Sequence, residues 1–175
     1  MTAYATARLP PLRALKAAAR SGDSTAAHNI PIAYRDAGNL RRAVFWWQRF
    51  ASDGDGEAAL DVGYAYQYGL GARRAPQRAM QALRQALRSR DITEYGREEA
   101  AYHLAVLTLD RGGSRRQVLT LLCLAKRDGD YPEAARLAAA VEAGRPIAAC
   151  RCRRGRWRSI RGQAACARHR QPRRS

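Results

Sequence analysis

The sequence is short of the groups that most enzymes use. Its 175 residues include three histidines, too few for most acid–base schemes. It has no Ser/His/Asp order, no glycine-rich phosphate loop followed by Lys-Ser/Thr, and no paired carboxylates on one face with a base nearby. The chain therefore reads as a non-enzyme. No apolar run reaches the 18 residues a membrane span needs. Residues Met1 to Pro11 lack an apolar core and a small-residue cleavage site, so no secretory signal is visible and a cytoplasmic protein is expected. In that compartment the four cysteines read as thiols or metal ligands rather than disulfides. No strand-like run stands out. Lysine is nearly missing, with only Lys16 and Lys126. The arginine bias is of a kind that genomic base composition often produces, so the clustering of arginine carries more information than its choice.

What is present is helical and uneven in charge. Alanine, leucine and arginine abound, and the length suits one domain with a real core. The net charge is +17, with 32 basic and 15 acidic residues. Residues 145–175 hold 11 arginines and no acid, which leaves 21 basic against 15 acidic residues, a net of +6, for residues 1–144.

The clearest pattern lies between Ala58 and Ser89. Ala59, Val62, Gly63 and Tyr66 follow the i, i+3, i+4, i+7 spacing of one helical face, and Ala79, Met80, Leu83, Ala86 and Leu87 form another. Gly69 and Gly71 supply the turn between them, and Pro76 opens the second helix. Gly63 inside a helix costs roughly 1 kcal/mol against alanine. Close packing explains it, with Ala79 and Ala86 as the small residues opposite.

Weaker copies flank this pair, and such internal repetition decides the architecture. A helix over Leu12–Arg20 ends at Ser21-Gly22-Asp23, and the Gly-Asp ending recurs at Gly54-Asp55 and Gly129-Asp130. Ser24 is expected to cap a helix over Thr25–Ala37, with Ile30, Ala33, Tyr34 and Ala37 inward and Pro31 shortening or kinking it. After Gly38-Asn39, Leu40–Ser52 carries Ala43, Trp46, Trp47, Phe50 and Ala51 on its core face. Ala43 and Ala79 are 36 residues apart, whereas Ala79 and Val118 are 39 apart, which predicts an insertion at a loop over Asp91–Arg97. Glu94, Glu98 and Glu99 suit the start of the next helix, where the dipole favours negative charge. That helix runs to Asp110 with Ala101, Leu104, Ala105 and Thr108 inward. Gly112-Gly113 turns into Arg115–Arg127, with Val118, Leu121, Leu122 and Ala125 inward, and Pro132–Ala143 forms a closing half-repeat. His103 and Cys123, isolated on helices, read as core or surface filler; Asp128 and Asp130 read as solvent-exposed.

The residues Val62-Gly63-Tyr64-Ala65-Tyr66, Gly69-Leu70-Gly71, Ala79 and Leu83–Ala86 resemble the Sel-one-like repeat family. This is a branch of the tetratricopeptide-like helical solenoids found in bacteria and eukaryotes. Trp46-Trp47 resembles the family's aromatic pair. The resemblance implies an all-α fold, an α/α solenoid of stacked antiparallel helix pairs over residues 12–144, preceded by an arm over 1–11. It also implies a protein-interaction scaffold or adaptor whose concave face grips a protein partner. Residues of the first helices off the core stripe are the candidates: Arg35, Asp36, Asp61, Tyr64, Gln67 and Tyr68. Tyr64 and Tyr68 have an equally good alternative, packing between repeats.

Residues 145–175 form a short irregular segment. Cys150 and Cys152 are followed by thirteen residues, then by Cys166 and, after two more, His169. Cys₃His is a standard tetrahedral set for structural zinc. Arg151, Arg153, Arg154 and Arg168 favour the thiolates that bind metal. The Cys-x-Cys start resembles short metal hooks of the SEC-C type, with a longer loop and a second pair that is not adjacent. Unpaired thiols in a basic tail, or a disulfide, are the other readings. The same arginines suggest an alternative function, nucleic-acid binding. Arg151, Arg153, Arg154, Arg156, Arg158 and Arg161 would contact phosphates, and Trp157 would stack on a base.

Overall fold

The structure, a computed structural model, describes residues 9–126 and 131–144. Among them are eight α-helices and no strand: α1 Leu12–Arg20, α2 Ser24–Asp36, α3 Leu40–Ser52, α4 Gly56–Tyr68, α5 Pro76–Arg88, α6 Glu94–Asp110, α7 Arg115–Leu124 and α8 Pro132–Glu142. Each helix packs on the next, and α4 also reaches α6. That succession is an α/α solenoid: the pairs α2–α3, α4–α5 and α6–α7, with single helices at either end. No helix among the described residues is long and apolar enough to cross a membrane.

The recurrent Gly-Asp pair explains how one repeat hands over to the next. Gly22 and Gly54 take φ of 95° and 101°, which ends α1 and α3. The next residue then caps the following helix. Asp23 Oδ1 accepts from Ala26 N–H at 2.9 Å, and Asp55 Oδ1 accepts from Ala58 N–H at 3.0 Å. The cap of α2 is thus Asp23, not Ser24, because an aspartate one residue earlier already reaches the free N–H. Gly129-Asp130, Asp128 and Arg127 lie outside the described residues.

Two glycines are there for close approach. A side chain at Gly63 would sit 2.7 Å from Leu83 Cδ2 and 3.7 Å from the carbonyl oxygen of Ala79, so Ala79 lies opposite as expected and the side chain that fills the gap is that of Leu83. Leucine fits because its branched end fills the notch that the missing Cβ leaves. At Gly71, φ is 70° and a Cβ would strike the backbone of Leu40, so this turn lies directly on the start of α3.

Other expectations change. The helix α2 is 13 residues long and runs through Pro31, which is itself buried, so the proline does not shorten it. The residues expected as a loop insertion are mostly helical: α6 begins at Glu94 and spans 17 residues against 13 in α4. Thr93 caps it, accepting from Gly96 N–H at 2.9 Å. Arg97 then donates to Leu87 O and Ser89 O at 2.8 and 3.0 Å, closing the end of α5. Glu98 and Glu99 are buried rather than displayed to the dipole. Ser114 and Gln117 form a capping box at α7. Ala37 is exposed, and Trp46, Phe50, Leu87, Thr108 and Leu121 are only partly covered.

The core runs the length of the stack. Buried residues from Leu15 to Leu107 form one cluster and those from Ala101 to Val141 another, with Leu87 and Leu121 packed against both. No helix pair could cover its own apolar face; the neighbours do it.

Candidate partner-binding face

The first helices of successive repeats, α4 and α6, lie side by side. Glu57 and Glu99 begin matching Glu-Ala-Ala segments of the two helices, so repetition brings one carboxylate beside the next. Glu57 Oε1 accepts from Thr93 N–H and Oγ1–H at 2.9 and 2.7 Å, which ties α4 to the cap of α6. A side chain at Gly96 would come within 2.6 Å of that oxygen, so the glycine makes room for the carboxylate. Burial pushes Glu99 up to about 7, a hydrogen bond from Tyr64 holds it down in part, and the charge of Glu57 raises it further. Burial likewise raises Asp61 to about 8; Arg35 opposes this, while Glu57, Glu99 and Asp55 add to it.

Beside these carboxyl groups runs an aromatic belt. Tyr64 stacks near Tyr68 with ring centres 6.1 Å apart and meets His103 edge-on at 4.6 Å. His103 meets Tyr102 at 5.2 Å, Tyr102 meets Tyr131 at 5.0 Å, and Tyr131 meets Tyr95 at 6.1 Å. The belt therefore crosses from α4 over α6 to the start of α8. Burial pushes His103 down to about 3, so its ring is neutral, and its Nδ1 lies 3.3 Å from the Tyr68 hydroxyl. Tyr68 and Tyr95 are the open ends of the belt, 39% and 45% exposed.

The six residues expected to face a partner divide. Asp36 and Tyr68 are exposed, while Arg35 and Asp61 are half-buried. The Nε of Arg35 donates to Asp36 at 3.0 Å. Gln67 is buried, which corrects its expected exposure, and Tyr64 is buried as its alternative reading, packing between repeats, has it. An interior helix of a solenoid is covered by α3, α5 and α6 together, so it has no single core stripe. Glu57, Glu99, Tyr95, Tyr102, His103 and Tyr131 were not among the six. The i, i+7 spacing of Tyr95 and Tyr102, alongside the i, i+4 spacing of Tyr64 and Tyr68, was the available signal. His103 and Trp47 are buried, as core filler, and Cys123 is an exposed free thiol.

Nothing in this arrangement activates a nucleophile. His103 is neutral and enclosed by tyrosines. The exposed ring of His28 has both nitrogens engaged, Nδ1 with Ser24 O at 2.7 Å and Nε2 with Asp55 Oδ2 at 3.1 Å. Among the described residues no group of three or more His, Cys, Asp or Glu side chains suits a metal ion. Cys150, Cys152, Cys166 and His169 lie outside the described residues, as do Arg151, Arg153, Arg154, Arg156, Trp157, Arg158 and Arg161.

Among solved structures, the chain is similar to the crystal structure of a Sel1 repeat protein from Oxalobacter formigenes, with 22% identity and a TM-score of 0.60. The likeness covers 78% of this chain and 56% of that one, so this chain spans little more than half the length of that protein. No family model and no curated protein matches the chain. The likeness establishes the fold, which is that of a Sel1-type helical repeat. It agrees with the resemblance carried by Val62–Tyr66, Gly69–Gly71 and Ala79.

Proposed function

We propose that the chain is a non-enzymatic scaffold that holds a protein partner on the face built by α4 and α6. The observation that carries this is the tyrosine belt, open at Tyr68 and Tyr95 and anchored on buried Tyr64 and His103. Rigidly held, half-exposed tyrosines offer apolar area and a hydroxyl at low entropic cost, which is why they anchor interfaces. The test is capture of a partner by the intact protein from its native cell extract. The double substitution Tyr68→Ala/Tyr95→Ala is compared with Phe45→Ala, an exposed aromatic residue on α3. Capture lost only in the tyrosine variant supports the assignment. Equal capture by both variants moves the binding face elsewhere, and no capture at all removes the scaffold reading.

The cysteines of the C-terminal segment support a second, structural element of the proposal. Three thiolates and a neutral imidazole, from Cys150, Cys152, Cys166 and His169, are the donor chemistry of a closed zinc site, and zinc there would order the segment. Gently purified full-length protein should then carry about one zinc per chain, and Cys166→Ser should lose it. Nucleic-acid binding by the arginines is the competing role for this segment. It predicts affinity for a generic polynucleotide that falls steeply with salt.

A further inference from the structure

Charge is sorted by helix along the stack. The helices α1, α3 and α5 each carry three basic residues, α7 carries two, and none of the four carries an acid. The alternate helices α2, α4, α6 and α8 hold one, two, four and two acids and at most one basic residue each. Interspersed charge is the ordinary condition of a solvated surface. This alternation departs from it, and leaves one side of the solenoid cationic throughout.

The repeat builds the same junction three times on that side, where groups from two basic helices meet a side chain of the helix between them. At Tyr34 of α2, Lys16 Nζ and Arg42 Cζ lie 5.3 and 5.5 Å from the ring centre. Tyr66 of α4 stands 32 residues on, as Asp55 does from Asp23. Gln48 Nε2 donates to its hydroxyl at 2.7 Å, and Arg78 Cζ lies 5.7 Å from its ring centre. Thr108 of α6 stands 42 residues on again, as Glu99 does from Glu57, and its flanking groups are Arg84 and Gln117. The last two junctions are open furrows. One, of about 250 Å³, lies between α3 and α5 and is lined by the buried Val62 and Ala82. The other, of about 360 Å³, lies between α5 and α7 and is lined by Leu104 and Leu121. No carboxylate lines either furrow. Arg84 and Arg116 are exposed, and their guanidinium groups make no hydrogen bond or ion pair among the described residues.

We propose that the two furrows form one groove for an extended acidic segment of a partner protein, with Arg78, Arg84 and Arg116 pairing its carboxylates. An extended chain suits the groove because its successive side chains point to opposite sides. Carboxylates then meet the arginines at the rim while aliphatic groups between them settle on Val62 and Leu104. The guanidinium fork matches a carboxylate. Gln81, exposed on the wall of the first furrow, offers both the donor and the acceptor that a peptide group needs. A polynucleotide fits less well, because it gains most from open rings on which bases stack. Here Tyr34 is buried and Tyr66 lies under Arg78. The groove is separate from the tyrosine belt. Val62 and Tyr66 are two residues before Tyr64 and Tyr68, and Leu104 is two after Tyr102, an offset of about 200° around each helix.

The test is fluorescence anisotropy of a labelled peptide of about 12 residues, glutamate alternating with leucine, titrated with the full chain at about 0.1 M salt. Arg78→Gln/Arg84→Gln/Arg116→Gln should weaken binding about tenfold or more, the loss expected of three partly exposed ion pairs. Arg73→Gln/Arg90→Gln/Arg111→Gln removes the same charge outside the furrows and should change binding by less than about twofold. All six arginines are exposed, so both variants should keep the thermal unfolding of the parent. The arginines of residues 145–175 are the same in both, so they cannot produce the difference. On the unaltered chain, a peptide with serine in place of leucine should bind about fivefold or more weakly, because the apolar lining is then unused. No binding of the leucine peptide overturns the proposal. So do equal losses in the two arginine variants, which would mean net charge alone, and so does a serine peptide that binds as well. An oligothymidylate of equal charge that binds more tightly, with the same dependence on Arg78, Arg84 and Arg116, would make the groove one for nucleic acid instead. Each of these outcomes leaves partner capture through Tyr68 and Tyr95 untouched.

Discussion

Replacing Asp61 by asparagine should make the protein more stable, and by an amount set by pH. Burial first, then the charges of Glu57, Glu99 and Asp55 against the single opposing charge of Arg35, raises Asp61 from 3.8 to about 8. In the unfolded chain the carboxyl returns to its ordinary value. Between about pH 4 and 8 the folded state therefore holds a proton that the unfolded state has released, and stability falls as pH rises through this window. Below it both states are protonated and the cost is absent; above it the cost is complete. One pKa unit corresponds to about 1.36 kcal/mol, so a rise of about four units sets an upper bound of roughly 5 kcal/mol. Asp61 is only half-buried and keeps some access to solvent, which reduces this to about 2–3 kcal/mol. Asparagine has the shape of the protonated acid and cannot ionise. The assay is urea unfolding of the full chain and of Asp61→Asn from pH 4 to 8.5 in about 0.5 M salt. Salt screens surface charges but leaves the burial cost in place. The variant should match the parent near pH 4 and exceed it by about 2–3 kcal/mol at pH 8. Parallel pH profiles, or a variant less stable at pH 8, would refute the reasoning.

Three further outcomes test the fold. Gly71→Ala should cost about 2–4 kcal/mol, because it combines positive φ with collision against the Leu40 backbone, whereas Gly112→Ala, at φ 72° with open space around it, should cost about 1 kcal/mol in the same thermal unfolding series. Asp55→Ala removes both the cap of α4 and the partner of His28 Nε2, and should lower unfolding free energy by about 1–2 kcal/mol in the same thermal unfolding series. Glu99→Gln should flatten the fall in stability between about pH 4.5 and 7, since Glu99 is raised from 4.5 to about 7 by burial, against the Tyr64 hydrogen bond, and by Glu57; an unchanged slope in a urea series would show that Glu99 is solvated.

Much of this molecule is legible in its sequence. The ranges Leu12–Arg20 and Leu40–Ser52 agree with α1 and α3, and Gly22, Gly38, Gly54, Gly69 and Gly112 all adopt positive φ where turns were expected. These are local matters: a helix needs a periodic face and an end, and glycine supplies the end cheaply. The repeat followed from the same signals, because identical short patterns that cannot cover their own apolar faces have to stack.

Only the assembled stack decided what those faces meet. The Leu83 side chain fills the notch at Gly63, with only the backbone of Ala79 beside it. Glu94 to Arg97 lengthened a helix instead of a loop, because Glu57 and Thr93 hold its start and Arg97 is used against α5. Tyr64, Gln67, Glu98 and Glu99 became buried. The physical reason is common to all of these. A helix at the end of a chain has one covered side, but a helix inside a solenoid is covered by the helices before it, after it and in the next repeat. One sequence periodicity describes one face; which of the remaining faces lies open depends on neighbours about forty residues away.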